Sequence, residues 1–297
     1  MVLNRAKTKE SMSGDTPGTL YVVATPIGHR DDITIRALKI LADVDLVAAE
    51  DTRKTRRFLA LHGLNKRFVS YHEHNEADRT PQLIARLKSG ASVALVSNAG
   101  TPTVSDPGYR LIEAAADNNL NVVPIPGACA ATAVLSVAGM PTDSFVFIGF
   151  LTKKKIKRLR QLDELASQPR TLIFYESPKR ILALLYEIID VMGDRRGVLG
   201  REVTKLHEEL IRGRLSDIAG RLKDRSEIKG ECTLLVAGSS GELHPSWQSV
   251  TQQIRDALEE GQHSLSAIAR EISAASGIAK NRVYAEVLKI SKELESG

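Results

Sequence analysis

Ser92-Val93-Ala94-Leu95-Val96-Ser97-Asn98-Ala99-Gly100-Thr101-Pro102-Thr103-Val104-Ser105-Asp106-Pro107-Gly108 is the stretch on which the reading of this 297-residue chain turns. The apolar run Ser92–Val96 has the length of a buried strand and runs into a loop rich in glycine and proline. After it the apolar spacing becomes helical, predicting a helix over Gly108–Asn118. Strand, glycine-rich loop and helix form the repeating unit of a parallel sheet, and the helix start offers N–H groups to a ligand. Glycine lets a ligand approach the backbone closely, while proline stiffens the loop without adding a donor.

The same unit recurs outward from this stretch. Strands are predicted at Thr19–Thr25, Leu46–Ala49, Phe68–Ser70 and Asn121–Ile125, and helices at Ile33–Ala42, Thr52–His62 and Pro81–Ser89. This alternation predicts an N-terminal α/β domain over residues 18–125 with a mostly parallel sheet, whose strand carboxyl ends carry the ligand loops. Two more such loops are rich in Gly, Pro or carboxylate: Ala24-Thr25-Pro26-Ile27-Gly28-His29-Arg30-Asp31-Asp32 and Glu50-Asp51-Thr52-Arg53-Lys54-Thr55-Arg56-Arg57. Any one of them is adequate as a plain tight turn; three on one sheet edge point to a ligand cleft.

Ile125-Pro126-Gly127 breaks the periodicity and opens a second α/β domain, expected over residues 126–241. Helices are predicted near Ala128–Ala138, Lys154–Ala166, Pro178–Val191 and Leu215–Asp224, with strands near Phe145–Ile148, Thr171–Tyr175, Val198–Arg201 and Cys232–Ala237. Residues 246–297 read as three amphipathic helices (about Ser246–Glu260, Ser264–Ala275 and Lys280–Lys292) with glycine-containing turns, a helix-turn-helix-like extension. With 6 Lys/Arg against 7 Asp/Glu, this extension is either a packing appendage or an RNA contact that does not work by charge alone. Met1–Pro17 is polar, lacks an apolar core segment and reads as a flexible tail. Val122–Thr142 carries no charge, but Pro124, Pro126 and Gly127 divide it into strand, turn and helix, so a membrane span is rejected.

A hydrophobic fraction of 42% and a charged fraction of 26% exclude a disordered chain, and the net charge of +5 suggests a polyanionic partner. Cys129 and Cys232 stand alone, without CxxC or Cys/His spacing, so two buried thiols in a reducing compartment are expected and no structural zinc. No GxxxxGK[ST] loop is present, no GxGxxG follows the first strand, and neither HExxH nor an EF-hand occurs; no metal is expected. His72 and His74 alternate along one extended segment, and without a third ligand they read as hydrogen-bonding groups rather than a metal pair. Lys153, Lys154, Lys155, Lys157, Arg158 and Arg160 put six cations in eight residues, and Arg53, Lys54, Arg56 and Arg57 form a second basic cluster. Each is either a solvated helix face or part of a track for an extended anion; two clusters flanking one cleft favour the track.

Eight ordered motifs carry a family resemblance: Thr25-Pro26-Ile27-Gly28, Ala49–Arg53, Tyr71–Glu76, Val96–Gly108, Pro124–Ala128, Tyr175–Arg180, Arg201–Glu209 and Lys229-Gly230-Glu231-Cys232. From Gly18 to about Gly238 the chain resembles the 16S rRNA (cytidine-2′-O)-methyltransferase I family, among the tetrapyrrole-methylase-like enzymes that use S-adenosylmethionine (SAM). The resemblance implies two α/β domains with SAM folded into the cleft between them, a C-terminal helical extension, and a homodimer. It implies a cytoplasmic enzyme that methylates the ribose 2′-oxygen of a decoding-centre cytidine in the 16S rRNA of the small ribosomal subunit. By position, Asn98, Ala99, Gly100, Val104 and Ser105 line the SAM site; Pro26, Pro126, Gly127 and Ala128 border it; Phe174, Tyr175, Gly230 and Cys232 face it from the second domain.

Glu50, Asp51, His72, Glu202 and Lys205 are the titratable residues at motif positions, and a carboxylate or a lysine of depressed pKa would take the hydroxyl proton. Arg53 either holds a flanking phosphate or pairs with Glu50-Asp51 in the loop. Two positions depart from the family pattern: His29 stands where Asn usually follows TPIG, and Asn98 where Asp usually precedes the Ala-Gly-Thr-Pro segment. An Asp→Asn exchange removes a charge but keeps an acceptor, so a loop-shaping role survives it and a base role does not. Two other readings stand beside the leading one: a methylase of a tetrapyrrole or other small molecule, and a SAM-binding or RNA-binding assembly factor without catalysis.

Overall fold

A computed structural model describes residues 16–239, 247–261, 263–276 and 280–295. Most of the expected N-terminal tail, the domain end near Gly241 and the turn at Gly277 lie outside the described residues. The chain divides into two compact units, Met1–Cys129 and Ala130–Gly297.

The first unit alternates strand and helix: β1 (Thr19–Val23), α1 (Ile35–Asp43), β2 (Leu46–Ala49), α2 (Thr52–Leu61), β3 (Phe68–Ser70), α3 (Glu76–Lys88), β4 (Val93–Val96), α4 (Tyr109–Asp117) and β5 (Asn121–Ile125). All five strands are parallel, in the order β3-β2-β4-β1-β5. Every residue of β2 and β4 is buried because helices cover both faces, which is why these strands read as unbroken apolar runs. Leu20, Ala48 and Leu95 pack with Leu83, Leu87, Leu111 and Ala115 of α3 and α4. Val47, Ala49, Ala94 and Val96 pack with Ala37, Leu41 and Leu59 of α1 and α2 on the other face. β1 and β4 are neighbours, yet the chain leaves β1 for the α1 face and leaves β4 for the α4 face. Their carboxyl ends therefore diverge, and that crevice is where an open α/β sheet takes its ligand.

Helix α3 starts five residues earlier than the sequence predicts. Pro81 reads as a first-turn residue, but it lies inside the helix. Asn75 turns the chain, with Glu76 and Asp78 in the first turn, and the Thr80 hydroxyl donates to the Glu76 carbonyl while contacting the buried Tyr71 hydroxyl at 2.9 Å. Those contacts outweigh the single backbone bond that proline forgoes.

The second unit contains α5 (Ala130–Val137), β6 (Phe145–Phe150), α6 (Lys155–Leu165), β7 (Thr171–Glu176), α7 (Ile181–Met192), β8 (Arg196–Arg201), β9 (Glu209–Arg214), α8 (Leu215–Lys223) and β10 (Cys232–Val236). Its sheet is mixed, in the order β6-β7-β10-β8-β9, with β6 and β7 parallel and the remaining pairs antiparallel. Strand β9 is not expected from the sequence. It is a polar edge strand, Glu-Leu-Ile-Arg-Gly-Arg, in which only Ile211 is buried, so its apolar alternation is too weak to read. The uncharged stretch 122–142 resolves into β5, a turn and the eight-residue α5, and among the described residues no helix is long and apolar enough to cross a membrane. Three further helices, α9 (Trp247–Glu260), α10 (Leu265–Ser276) and α11 (Lys280–Glu295), share an apolar cluster built on Val250, Ile254, Ile268, Ile272, Val283, Val287 and Ile290.

Candidate functional site

Four carboxyl-end loops of the first unit are tied to one another. Thr25, just past β1, exchanges two backbone hydrogen bonds with Gly100: its N–H donates to the Gly100 carbonyl at 2.8 Å and its carbonyl accepts from Gly100 N–H at 3.0 Å. The buried Thr25 hydroxyl donates to the Ser97 carbonyl at 3.2 Å. Past β2, a Glu50 carboxylate oxygen accepts from the Asn98 backbone N–H at 3.1 Å. Past β5, the Ala128 carbonyl accepts from the Thr101 hydroxyl at 3.2 Å. Pro26, Asn98, Ala99, Gly100, Pro126, Gly127 and Ala128 therefore belong to one joined edge. Its walls are small: a Cβ on Gly127 would lie 2.9 Å from the Ala24 Cβ. Small walls and accessible backbone let a small ligand approach the main chain closely.

The loop between β4 and α4 is held in an uncommon conformation. Thr103 and Ser105 both have left-handed backbone angles, at φ 71° and 66°. Such residues cost about 1–3 kcal/mol each and persist where the surroundings over-determine the loop, typically at a ligand site. Gly108 has φ 135°, a conformation that strains any other residue, and a Cβ there would lie 2.7 Å from Leu95 Cδ2 and push that side chain aside. Val104 is half-buried and Ser105 exposed in this loop, and Gly108 begins α4 without a side-chain cap.

Both departures from the family pattern have a local account. His29 Nδ1 accepts from the Asp31 N–H at 3.3 Å at the start of the short 3-10 turn Arg30–Asp32, a capping task that needs only an acceptor. Asn98 is exposed and holds the loop through its backbone N–H, which Asn and Asp share.

The five titratable residues fall into different environments. Asp51 caps α2, its carboxylate accepting from Arg53 N–H at 2.9 Å and Lys54 N–H at 3.4 Å, and those bonds lower its pKa. It binds the Arg53 backbone, and among the described residues no ion pair joins the Arg53 guanidinium to Glu50 or Asp51, the second of the two arrangements open to the sequence. His72 Nε2 lies 3.1 Å from Asn75 Nδ2, while its buried Nδ1 has no hydrogen-bond partner among the described residues. His74 is exposed, and among the described residues no group of three or more His, Cys, Asp or Glu is placed to hold a metal.

In the second unit, Lys205 Nζ donates to Glu202 at 2.8 Å and to Glu231 at 3.0 Å. Burial works against the Lys205 charge, but the two carboxylates outweigh it and raise its pKa. Of the two proton acceptors open to the sequence, a lysine of depressed pKa or a carboxylate, this arrangement does not favour the lysine. Glu202 is its counterpart: burial opposes its charge, but Lys205 and the Glu231 N–H together hold its pKa low. Glu202 sits at φ 51°, and a Cβ on Gly230 would lie 2.3 Å from the Glu202 Cγ, so glycine at 230 makes room for this cluster.

Phe174 and Cys232 are core residues with buried side chains, and burial pushes the Cys232 thiol up to about 12. They can shape a ligand site only through the backbone. The Tyr175 hydroxyl accepts from Ala131 N–H at 3.0 Å, and its ring meets Phe147 and Phe150 edge-on at 5.0 and 5.7 Å.

The basic clusters also separate. Arg53, Lys54, Arg56 and Arg57 are exposed on α2, with Arg56 over the Phe68 ring at 5.2 Å. Lys153, Lys154, Lys155, Lys157 and Arg160 are exposed, but Arg158 is corrected. Its guanidinium binds Glu187 bidentately at 2.6 and 2.7 Å and donates to the Thr152 and Lys153 carbonyls, so its donors are taken up inside the fold. Sequence alone assigns no role to Thr25, Thr101, Phe58 or Leu61. For Phe58 and Leu61 an i, i+3 apolar pair among cations on α2 is a readable signal; for the threonines there is none beyond their place in the loops.

A family model described as Tetrapyrrole (Corrin/Porphyrin) Methylases matches residues 19–219. Ribosomal RNA small subunit methyltransferase I of Pseudomonas aeruginosa is 43% identical over 277 residues, which cover 92% of this chain and 97% of that protein. The chain belongs to this family. The small subunit methyltransferase I of Micromonospora olivasterospora is 42% identical, over 91% of this chain and 86% of its own length. Among solved structures, uroporphyrin-III C-methyltransferase from Thermus thermophilus, complexed with S-adenosylhomocysteine, is similar with a TM-score of 0.55 and 18% identity. That likeness covers 74% of this chain and 97% of the other, and shows the tetrapyrrole-methylase fold.

Proposed function

We propose that this chain is a SAM-dependent methyltransferase of small-subunit ribosomal RNA whose acceptor is the ribose 2′-oxygen of a decoding-centre cytidine in 16S rRNA. The observation that carries this reading is the joined loop edge of the first unit, from which α2 leads off with exposed cations suited to an RNA backbone. The near-full-length likeness to small subunit methyltransferases I supports it. When bound, SAM supplies an electrophilic sulfonium methyl group.

Pro26, Asn98, Ala99, Gly100, Val104, Ser105, Pro126, Gly127 and Ala128 hold the cofactor in this reading. Rigid tying of the loops orients the reacting groups, the main device available for an in-line displacement. The residues of this chain would hold the 2′-hydroxyl in line with the methyl group that SAM would supply, and a base among them would take the hydroxyl proton. Asp51, engaged as a helix cap, and Glu202, paired with Lys205, are held ionised and weakly basic. We assign the proton to Glu50, whose carboxylate stands on the joined edge, with His72 as the second candidate and Lys205 as an electrostatic anchor. Arg53, Lys54, Arg56, Arg57, Lys153, Lys154, Lys155, Lys157 and Arg160 hold RNA phosphates. The assembly is a cytoplasmic homodimer, and sedimentation velocity tests the oligomeric state.

Labelled SAM incubated with purified small subunits, free 16S RNA and a precorrin tests the activity. Methyl incorporation only into assembled subunits is expected, and incorporation into the macrocycle would sink the assignment. In single-turnover assays, Glu50→Gln is expected to lose about 10²–10⁴-fold in rate, the usual contribution of a positioned base, while SAM affinity persists. An unchanged rate transfers the role to another residue.

A further inference from the structure

Asp51, Arg53, Lys54, Arg57, Phe58 and Leu61 line a groove of about 450 Å³ along α2. It starts at Asp51, next in the chain to Glu50, whose carboxylate belongs to the joined loop edge. Ligand pockets run to roughly 300–1,000 Å³, so a groove of this size takes one nucleotide rather than an extended duplex face. Its chemistry has two halves. Arg53, Lys54 and Arg57 are exposed, and none of the three forms an ion pair with a carboxylate among the described residues. Asp51, the single acid in the lining, has its carboxylate engaged by two backbone N–H groups. Beside these cations lie the Phe58 ring, backed edge-on by His62 at 4.9 Å, and Leu61, which is 63% exposed despite being wholly apolar.

A phosphate alone would not need the apolar half, and an apolar partner would not need three cations. A nucleotide presents both an anion and a flat apolar face. Only an unpaired base exposes that face, since in a duplex it is stacked on its neighbours. We propose that this groove seats one unpaired nucleotide of the RNA substrate, its base against Phe58 and Leu61 and its phosphate among Arg53, Lys54 and Arg57. The inference rests on the proposed RNA substrate and adds that the strand lying along α2 is single-stranded when bound.

Fluorescence anisotropy of the full chain with a short labelled single-stranded RNA, titrated over a range of salt, tests this. Arg57→Gln is expected to weaken binding and to reduce the slope of log K against log salt by about 0.7, one phosphate contact on a single strand. Phe58→Ala is expected to weaken binding about tenfold with the slope unchanged, because stacking releases no counterions. Phe58 also packs against the core, so Leu61→Ser is the second variant; it is expected to cost about fivefold at constant slope, with an unaltered thermal melt. Duplex RNA and inorganic polyphosphate are expected to compete poorly. Unchanged affinity in both apolar variants, or competition by polyphosphate as strong as by single-stranded RNA, overturns the inference. Methylation of small subunits by the unaltered enzyme is scored separately. Methylation that survives in groove variants of normal affinity removes the groove and leaves the function standing; absent methylation with groove-dependent binding does the reverse.

Discussion

On α2 of the first unit and in the sheet and helices of the second, cationic residues are equally plain in the sequence, yet the fold treats them differently. Arg53, Lys54 and Arg57 leave their guanidinium and ammonium groups in solvent beside an apolar wall. In the second unit, Arg158 binds Glu187 with both side chains only 12% exposed. Arg201 and Arg225 close on Glu209, and Lys205 is held between Glu202 and Glu231. The first arrangement keeps charge available for a partner, whereas the other uses charge to fasten elements together. A run of cations in a sequence therefore counts charges without saying which are free.

The sharpest way to break this contrast is to remove one partner of the Arg158–Glu187 pair. Glu187→Ala strands a largely buried guanidinium and is expected to destabilise the chain by about 3 kcal/mol in urea unfolding. The apolar double variant Arg158→Met/Glu187→Leu is expected to recover most of that loss, since the pair's desolvation is removed with it. A loss within the range of an exposed pair, about 1 kcal/mol or less, would place Arg158 back among the free cations.

Glu209 gives a smaller effect with a pH signature. Arg225 and then Arg201 lower its pKa to about 2 from the ordinary 4.5, against the opposing effect of burial. A carboxylate with a depressed folded-state pKa contributes stability that is complete above pH 4.5 and lost as the pH falls toward about 2. After discounting for partial exposure, the contribution is roughly 2 kcal/mol. Glu209→Gln is expected to lower stability at neutral pH by about that amount and to flatten stability between pH 4.5 and 2. A variant that keeps the full acid dependence shows that other carboxylates carry it.

The smallest effects belong to the first unit. Arg57→Gln is expected to leave the thermal melt unchanged while weakening RNA binding, the converse of Glu187→Ala. Asp51→Asn retains an acceptor for the Arg53 and Lys54 N–H groups, so both fold and methyl transfer are expected to persist. Loss of the chemical step with an intact melt would instead make Asp51 the base.

Most element positions are legible in the sequence because buried parallel strands and amphipathic helices impose strong, short-range patterns. β2, β3 and β5 have the predicted ends, and α1, α2 and α4 lie within two residues of theirs. The failures are instructive. Strand β9 escapes because an edge strand with one buried residue carries almost no apolar alternation. The predicted α3 is too short because proline is read locally, whereas Tyr71 and Asn75 act across the turn to set the true start. At the candidate site, order and composition identify the loops past β1, β2, β4 and β5, but not which side chains tie them together.

By itself the sequence determined the alternating elements, the family, and the loops that ligand chemistry requires, since these follow from residue type and spacing along the chain. Only the tertiary structure decided how individual charges are used. It set Asp51 as a cap, Glu50 against the Asn98 backbone, Lys205 between two carboxylates, Arg158 as an internal clamp, and Arg53, Lys54 and Arg57 without a carboxylate partner among the described residues. The reason is physical: an ionisable group's role depends on partners within a few ångströms and on its exposure to water, and both are set by residues distant in sequence.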